Sequence, residues 1–533
     1  MKFEKKQAKK LLWIVPAVVA FFIALIPTLK YQWPLTVDIF YHIHVAEVYS
    51  QYGLTLTDPL IDPGMGHKIG YMPLFALAIA FLGKVLHTDY FTVARALQPI
   101  LTFSVVLSVS YVAKKFYGDV AGISAGFLIM SSYLFSRLVS PLPETMALIF
   151  IPLALYFYYK SVEDKKYLYA LLSGFMFLIV LATHQAATMI LFLIITAVAV
   201  LMTLSRRKFK FFVNYLVFLA VPVGFGVLAA VAVLLMAPGF LSSLLSNGLT
   251  SVTGLMTALP NSDPISNLKY VIYIGILLIF AIIGAGCSLK KRRDQDIIIF
   301  TWIIVVFLIS KAYWFGVNVY TIRLLVYILL PLSILAGYGL SYLYTDFKKK
   351  EFPSIKIRSG FLIATFVVAA LFAVVTVEDP NFGLIPKYDT ISQHGIKSPQ
   401  LAPPTESDIE LANWFKQNGD KKSVVISNNY YSNQFLLAVT GQPIGSIQTS
   451  EKYIMQGFEK SWDAERSQLI GSNIGYIVFD KRITFSTNGI YKTTSTGPFV
   501  GLNNKYNFKS LAPSYMKLVY ENKDYIIFKI VDV

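Results

Sequence analysis

Asp38 opens the run Asp38-Ile39-Phe40-Tyr41-His42-Ile43-His44-Val45-Ala46-Glu47, just after an apolar segment and Pro34. In a helix, Asp38, Tyr41 and His42 fall on one face by the i, i+3, i+4 rule, so a carboxylate meets an imidazole. Such a pair can take a proton or help hold a cation. An interfacial amphipathic helix with Asp38 as its solvated N-cap accounts for the same residues. Spacing alone leaves both readings open.

A second group is Ser136-Arg137-Leu138-Val139-Ser140-Pro141-Leu142-Pro143-Glu144-Thr145, where Arg137 and Glu144 bracket a Pro-stiffened turn. A carboxylate at a helix start is stabilised electrostatically without any function. Together with Asp38, however, Glu144 could bind a divalent cation such as Mg or Mn, or divide base and electrostatic work. The third group is Tyr320-Thr321-Ile322-Arg323-Leu324, an arginine opening an apolar helix, with Lys311 nearby in sequence. Snorkelling explains Arg323; its planar donor fork equally suits a lipid phosphate. His184, with Gln185, caps a helix pair. A satisfied structural histidine is the favoured reading there, and substrate contact the other.

The elements that must position these residues are mostly apolar helices. Of 533 residues 55% are hydrophobic and 14% charged, and from Leu11 to Val377 the apolar residues gather into runs of membrane-spanning length. Glu378 onward returns to globular density. The expected division is a membrane domain, 1–377, with 30–94 as its first outer loop, and a soluble extracytoplasmic α/β domain, 378–533. Leu11 to Leu29 reads as an anchor because no small-residue cleavage site follows its basic flank.

If all twelve apolar runs crossed the bilayer, the basic clusters at Lys114-Lys115, Lys160 to Lys166, Arg206 to Lys210, Lys290 to Arg293 and Lys348 to Lys350 would lie outside. Excluding the run 71–87, which is short and carries Pro73 and Lys84, moves them all to the cytoplasm. The expectation is a multi-pass cell-membrane protein with about eleven transmembrane helices, its N-terminus cytoplasmic and its C-terminal domain outside. The net charge of +17 then sits in inner loops, and nucleic acid is excluded as a partner. A single cysteine, Cys287, rules out an intramolecular disulfide and a thiolate cluster. In the tail, Asp408 to Gln417 reads as helix, with strands near 423–427 and 475–479 and a terminal pair around 516–520 and 525–531. Asn428 to Asn433 reads as an exposed turn, with stacking on sugar as the alternative.

In their order and separation the three groups resemble the GT-C class of membrane glycosyltransferases, most closely the catalytic subunit of oligosaccharyltransferase. Asp38, Phe40, His42, Ala46 and Gly53, continued by Asp58-Pro59-Leu60, look like that family's first-loop pattern. Ser136-Arg137 through Glu144 resembles its second-loop run, with one carboxylate where the family has two. Arg323, Pro331 and Ala336-Gly337-Tyr338-Gly339 are similar to its last helices. The family's first loop also holds helices lying along the membrane, which suits 71–87.

The resemblance implies a GT-C-like fold and a donor sugar carried on polyprenyl or dolichyl phosphate. It also implies transfer at the outer face to an acceptor glycan, lipid or protein. Asp38 would be base or cation ligand, Glu144 its assistant, and Arg323 the residue meeting lipid phosphate; His42, Arg137 and His184 are further substrate-binding candidates. The Trp-Trp-Asp-Tyr-Gly acceptor motif of oligosaccharyltransferases is absent: Asn428-Asn429-Tyr430-Tyr431-Ser432 stands after the strand ending at Ser427. The outer loop 237–268 has Asp263 as its only carboxylate. A lipid-phosphate-sugar-dependent glycosyltransferase of the same fold is therefore expected. The alternatives are oligosaccharyltransferase-like protein N-glycosylation, a non-enzymatic lipid or sugar transporter, and a noncatalytic scaffold.

Overall fold

A chain facing lipid must close its backbone hydrogen bonds internally, and the apolar runs are accordingly helical. The computed structural model describes residues 11–64, 66–236, 265–317, 319, 321–349, 355–378, 404–485, 488–493, 500–507, 509 and 512–531. The expected outer loop at 237–268, with Asp263, falls outside the described residues up to 264.

Among the described residues seven helices are long and apolar enough to cross a membrane: Leu12–Lys30, Tyr90–Tyr117, Pro143–Glu163, Gln185–Arg206, Lys210–Ala232, Thr321–Thr345 and Ile357–Glu378. A bent pair, Asn267–Ile274 and Leu277–Lys291, meeting at 98°, has the length and apolarity of an eighth span if its two helices are taken together. Gly275 makes the break with a φ of +74°, a conformation that carries little steric penalty only without a Cβ. Shorter helices at Asp119–Leu128, Tyr167–Thr183 and Asp294–Ser310 occupy the remaining expected positions. Leu74–Leu86, in the excluded run, is a 13-residue helix.

The chain forms two units. The bundle unit comprises Met1–Leu29, Met72–Leu74 and Leu97–Ile385; the α/β unit comprises Lys30–Tyr71, Phe75–Ala96 and Pro386–Val533. In the bundle, the Thr321–Lys349 helix is buried along its membrane-length stretch and packs on the Leu277–Lys291, Asp119–Leu128 and Asp294–Ser310 helices. The Ala-Gly-Tyr-Gly run explains how closely. A Cβ on Gly337 would collide with Ala121 O, one on Gly339 with Phe280 O, and one on the facing Gly284 with Leu335 O. Small residues admit backbone-to-backbone contact, which drives helix association where no water is expelled.

The α/β unit is built on a four-stranded sheet in the order Val424–Ser427, Ile474–Asp480, Tyr525–Ile530, Met516–Glu521. The first pair is parallel and the others antiparallel. Helix Glu406–Asn418 precedes it, and Tyr430–Thr440 follows the first strand. First-loop residues Val37, Phe40 and Ile61 enter the same core as Leu411, Phe415, Val425 and Phe435. Phe40 and Phe435 stand 5.2 Å apart, centroid to centroid, and Trp33 and Phe435 5.7 Å. The segment after the first-loop helix is stitched in as well: Ile61 bridges Ile444, and Asp62 Oδ1 accepts from Ser446 N at 2.9 Å.

Two sequence expectations are corrected here. Asn428 to Asn433 is no exposed turn: Asn428 and Asn429 are fully buried and Tyr430 begins a helix. Asn428 Nδ2 donates to the carbonyls of Asp480 and Val500, Asn429 Nδ2 donates to Asp480 Oδ2, and Asn429 Oδ1 caps the helix at Tyr431 N. Side-chain amides there replace water as partners for buried backbone, which composition cannot reveal. Likewise Asp38 is not an N-cap. Val37 holds that position and Asp38 lies in the first turn of Asp38–Tyr52, a helix buried on most sides rather than laid on a surface.

Candidate active site

Arg137 and Glu144 are seven residues apart, and the turn between them brings them together. A single helical turn, Phe135–Leu138, presents Arg137. Pro143 then opens the Pro143–Glu163 helix at the one helical position where a missing N–H costs nothing, and Thr145 Oγ1 closes the turn on Ser140 O at 2.8 Å. Glu144 Oε2 accepts from Arg137 Nε at 2.8 Å and from Nη2 at 2.6 Å. The carboxylate is 5% exposed, so its charge is matched by a charge-assisted pair rather than by water.

His184 sits between the Tyr167–Thr183 and Gln185–Arg206 helices as the N-cap of the second, its Nδ1 accepting from Ala187 N at 3.1 Å. That is the structural role favoured from the sequence, and it places the ring beside the arginine helix: Tyr327 OH stands 3.4 Å from His184 Nδ1. Arg323 is one turn before Tyr327 on the same face, in the first turn of the Thr321–Lys349 helix, and exposed. Burial holds the His184 imidazole below its ordinary value; the Glu144 charge opposes that shift and the Arg137 and Arg323 charges add to it. The bundle therefore gathers Arg137, Glu144, His184 and Arg323 into one electrostatic cluster.

Asp38 and His42 belong to the α/β unit, one helical turn apart on one face. Asp38 is half-buried. His42 is 4% exposed and boxed by rings, with centroids at 5.4 Å to Tyr41, 4.7 Å to Tyr71 and 5.6 Å to Phe75. Sequence reasoning missed the neighbouring pair His44 Nε2 and Asp58 Oδ2, 2.8 Å apart with both side chains 1% exposed. The available signal is Asp58-Pro59-Leu60, a second carboxylate in the first-loop pattern. It also missed Arg482, which bonds Asp408 at 2.8 Å and Asp480 at 2.9 Å.

Asp38, in the α/β unit, and Glu144, in the bundle, are the residues expected to hold Mg or Mn. Among the described residues no three His, Cys, Asp or Glu side chains gather to ligate a metal ion, and Glu144 Oε2 already carries two bonds from Arg137.

The chain shares the polytopic GT-C fold of solved membrane glycosyltransferases. The oligosaccharyltransferase AglB from Archaeoglobus fulgidus, solved with an inhibitory peptide and a dolichol-phosphate, superposes with a TM-score of 0.64 at 12% identity, over 90% of this chain and 70% of its own. ArnT from Cupriavidus metallidurans, bound to undecaprenyl phosphate, also gives 0.64 at 12% identity, over 97% of each chain. The arabinofuranosyltransferase AftD from Mycobacteria gives 0.52 at 13% identity, over 98% of this chain and 42% of its own. No protein-family model matches the chain, and no curated protein sequence does.

Proposed function

We propose that this chain is a membrane glycosyltransferase that moves a sugar from a polyprenyl or dolichyl phosphate to an acceptor at the outer membrane face. The observation that carries the reading is Arg323, exposed at the start of a buried helix beside His184 and the Arg137–Glu144 pair. An exposed guanidinium at a helix start, backed by a second arginine whose charge is already matched, is suited to one phosphate group arriving from the bilayer. Support from the comparisons is general: AglB and ArnT were solved with dolichol-phosphate and undecaprenyl phosphate respectively.

In the proposed reaction an acceptor hydroxyl oxygen bonds to the anomeric carbon as the bond from that carbon to the phosphate oxygen breaks. The phosphate leaves with the bonding electrons, and Asp38 takes the hydroxyl proton. Arg323 stabilises the charge that grows on the departing phosphate. Glu144 acts by fixing Arg137 rather than as a base, because its Oε2 is occupied. His42, in the α/β unit, and His184, in the bundle, are each assigned to substrate contact. The proposed orientation keeps the N-terminus in the cytoplasm and the α/β unit outside.

One observation favours a transporter, the bent pair at Gly275, since broken helices line transport paths. The deciding experiment is Asp38→Asn in purified protein reconstituted with a polyprenyl phosphate sugar. Transfer should fall by about 10²-fold or more while the lipid still binds. Wild-type transfer by the variant would sink the role of Asp38; transbilayer movement of the lipid with no new glycosidic bond would favour the transporter.

A further inference from the structure

We propose that the two loops following the Gln185–Arg206 and Leu277–Lys291 helices form one surface that binds the phosphate headgroups of anionic phospholipids. The inference stands apart from the glycosyltransferase reading. Segments 206–210 and 290–293 carry four basic residues each. The bundle joins them: Arg206 Nη2 donates to Arg292 O, and Asp294 pairs with Lys208 and, at 3.6 Å, with Arg206 Nε. Asp296, buried beneath the second loop, accepts from Arg293 Nε at 3.0 Å. Arg207, Lys208, Lys290, Lys291 and Arg292 are exposed.

The backbone of both loops carries the same signal. Arg207 and Arg292 each stand at the C-cap of their helix in the left-handed conformation, with φ of +52° and +50°. That conformation is strained for a residue with a Cβ, and helix ends ordinarily give it to Gly or Asn. Attraction of a cation to the helix dipole does not require it, because Arg206, Lys290 and Lys291 already occupy the last turns. Two separate loops thus accept the same strain at an arginine. What they gain is a guanidinium at the rim, a planar fork that matches phosphate oxygens in pairs.

Leu204, Phe209 and Leu289, within two positions of these cations, are exposed. Cations beside exposed apolar side chains, at the ends of apolar helices, suit a lipid, whose headgroup and acyl chains need both. The surface is also separate from the candidate active site. Arg293 lies over the Tyr338 ring at 4.8 Å, and Tyr338 is about 22 Å along the Thr321–Lys349 helix from Arg323.

The test is native mass spectrometry of the full-length protein titrated with phosphatidylglycerol and, separately, with phosphatidylcholine. Wild type should prefer phosphatidylglycerol by about tenfold, and added salt should weaken that preference. Arg207→Asn combined with Arg292→Asn keeps the backbone carbonyl that accepts from Arg206. It should weaken phosphatidylglycerol binding about tenfold and leave phosphatidylcholine unchanged. Its Tm should equal or exceed that of wild type, because asparagine tolerates the left-handed conformation. If that variant melts lower or does not fold, Lys290→Gln with Lys291→Gln removes two exposed cations without touching either cap, and should weaken phosphatidylglycerol binding to a similar extent. Equal affinity of wild type for the two lipids, or an unchanged preference in the folded variants, would overturn the proposal. Weaker binding of undecaprenyl phosphate in the variants, with phosphatidylglycerol binding unchanged, would give the surface to a polyprenyl lipid and overturn it equally.

Discussion

At the scale of single residues, the bundle cluster separates two arginines that the sequence presents alike. Arg137 is paired with Glu144, whereas the Arg323 side chain is exposed. Arg323→Gln is therefore expected to lower kcat/KM for the lipid donor by about 10²-fold, through both the chemical step and donor binding. Steady-state kinetics in nanodiscs would show it, and a change in KM alone would remove Arg323 from the chemistry. Asp58 gives a pH prediction in the α/β unit. Burial alone would raise its carboxyl, but the hydrogen bond and charge of His44 and the N–H of Leu60 hold it below the ordinary value. A depressed folded value stabilises the protein at pH above the unfolded value, about 3.9, and that contribution disappears as pH falls through the folded one. Acid titration of unfolding should thus show wild type losing stability below about pH 4 more steeply than Asp58→Asn. Parallel curves would mean that the His44–Asp58 pair contributes nothing to folding.

At the scale of elements, helix contact in the bundle is decided by where a Cβ has room. Gly284 and Gly286 lie on the same helix; a Cβ at Gly284 meets Leu335 O, while Gly286 has nothing within 4 Å. Gly284→Ala should destabilise by about 2 kcal/mol or more, because backbone cannot yield as a side chain does. Gly286→Ala should be neutral or slightly stabilising, as alanine is the better helix former. Thermal unfolding in detergent compares the two, and equal Tm values would contradict the packing described for Thr321–Lys349. In the α/β unit the corresponding joint is Arg482, which links helix Glu406–Asn418 to the sheet through Asp408 and Asp480. Arg482→Ala leaves two buried carboxylates uncompensated and should cost about 3–5 kcal/mol, readable as a fall in Tm; Lys or Met at that position distinguishes lost charge from lost packing.

At the scale of the whole molecule, a fold shared at 12% identity with AglB and ArnT shows how little of it depends on particular side chains. Hydrophobic run length was enough to place helices at the expected positions, because it follows from the cost of polar groups in hydrocarbon. The strands near 423–427 and 475–479 and the terminal strand pair were equally legible, since a buried strand is a short apolar run between turns. Arg137 with Glu144 could be suspected, as a proline-stiffened turn limits where two nearby residues can point. The rest was decided only in three dimensions. Asn428 and Asn429 look like turn residues and become buried partners because Asp480 and Val500, some fifty to seventy positions later, supply their hydrogen bonds. Lys311, which the sequence shows only as a neighbour of Arg323, is buried with Asn267, Tyr270 and Tyr313 around it. By itself the sequence determined where the chain meets lipid and which residues could do chemistry, because those are local properties of polarity and spacing. Which charges are matched, which are exposed and which are enclosed depended on contacts between distant segments, and only the tertiary structure decided them.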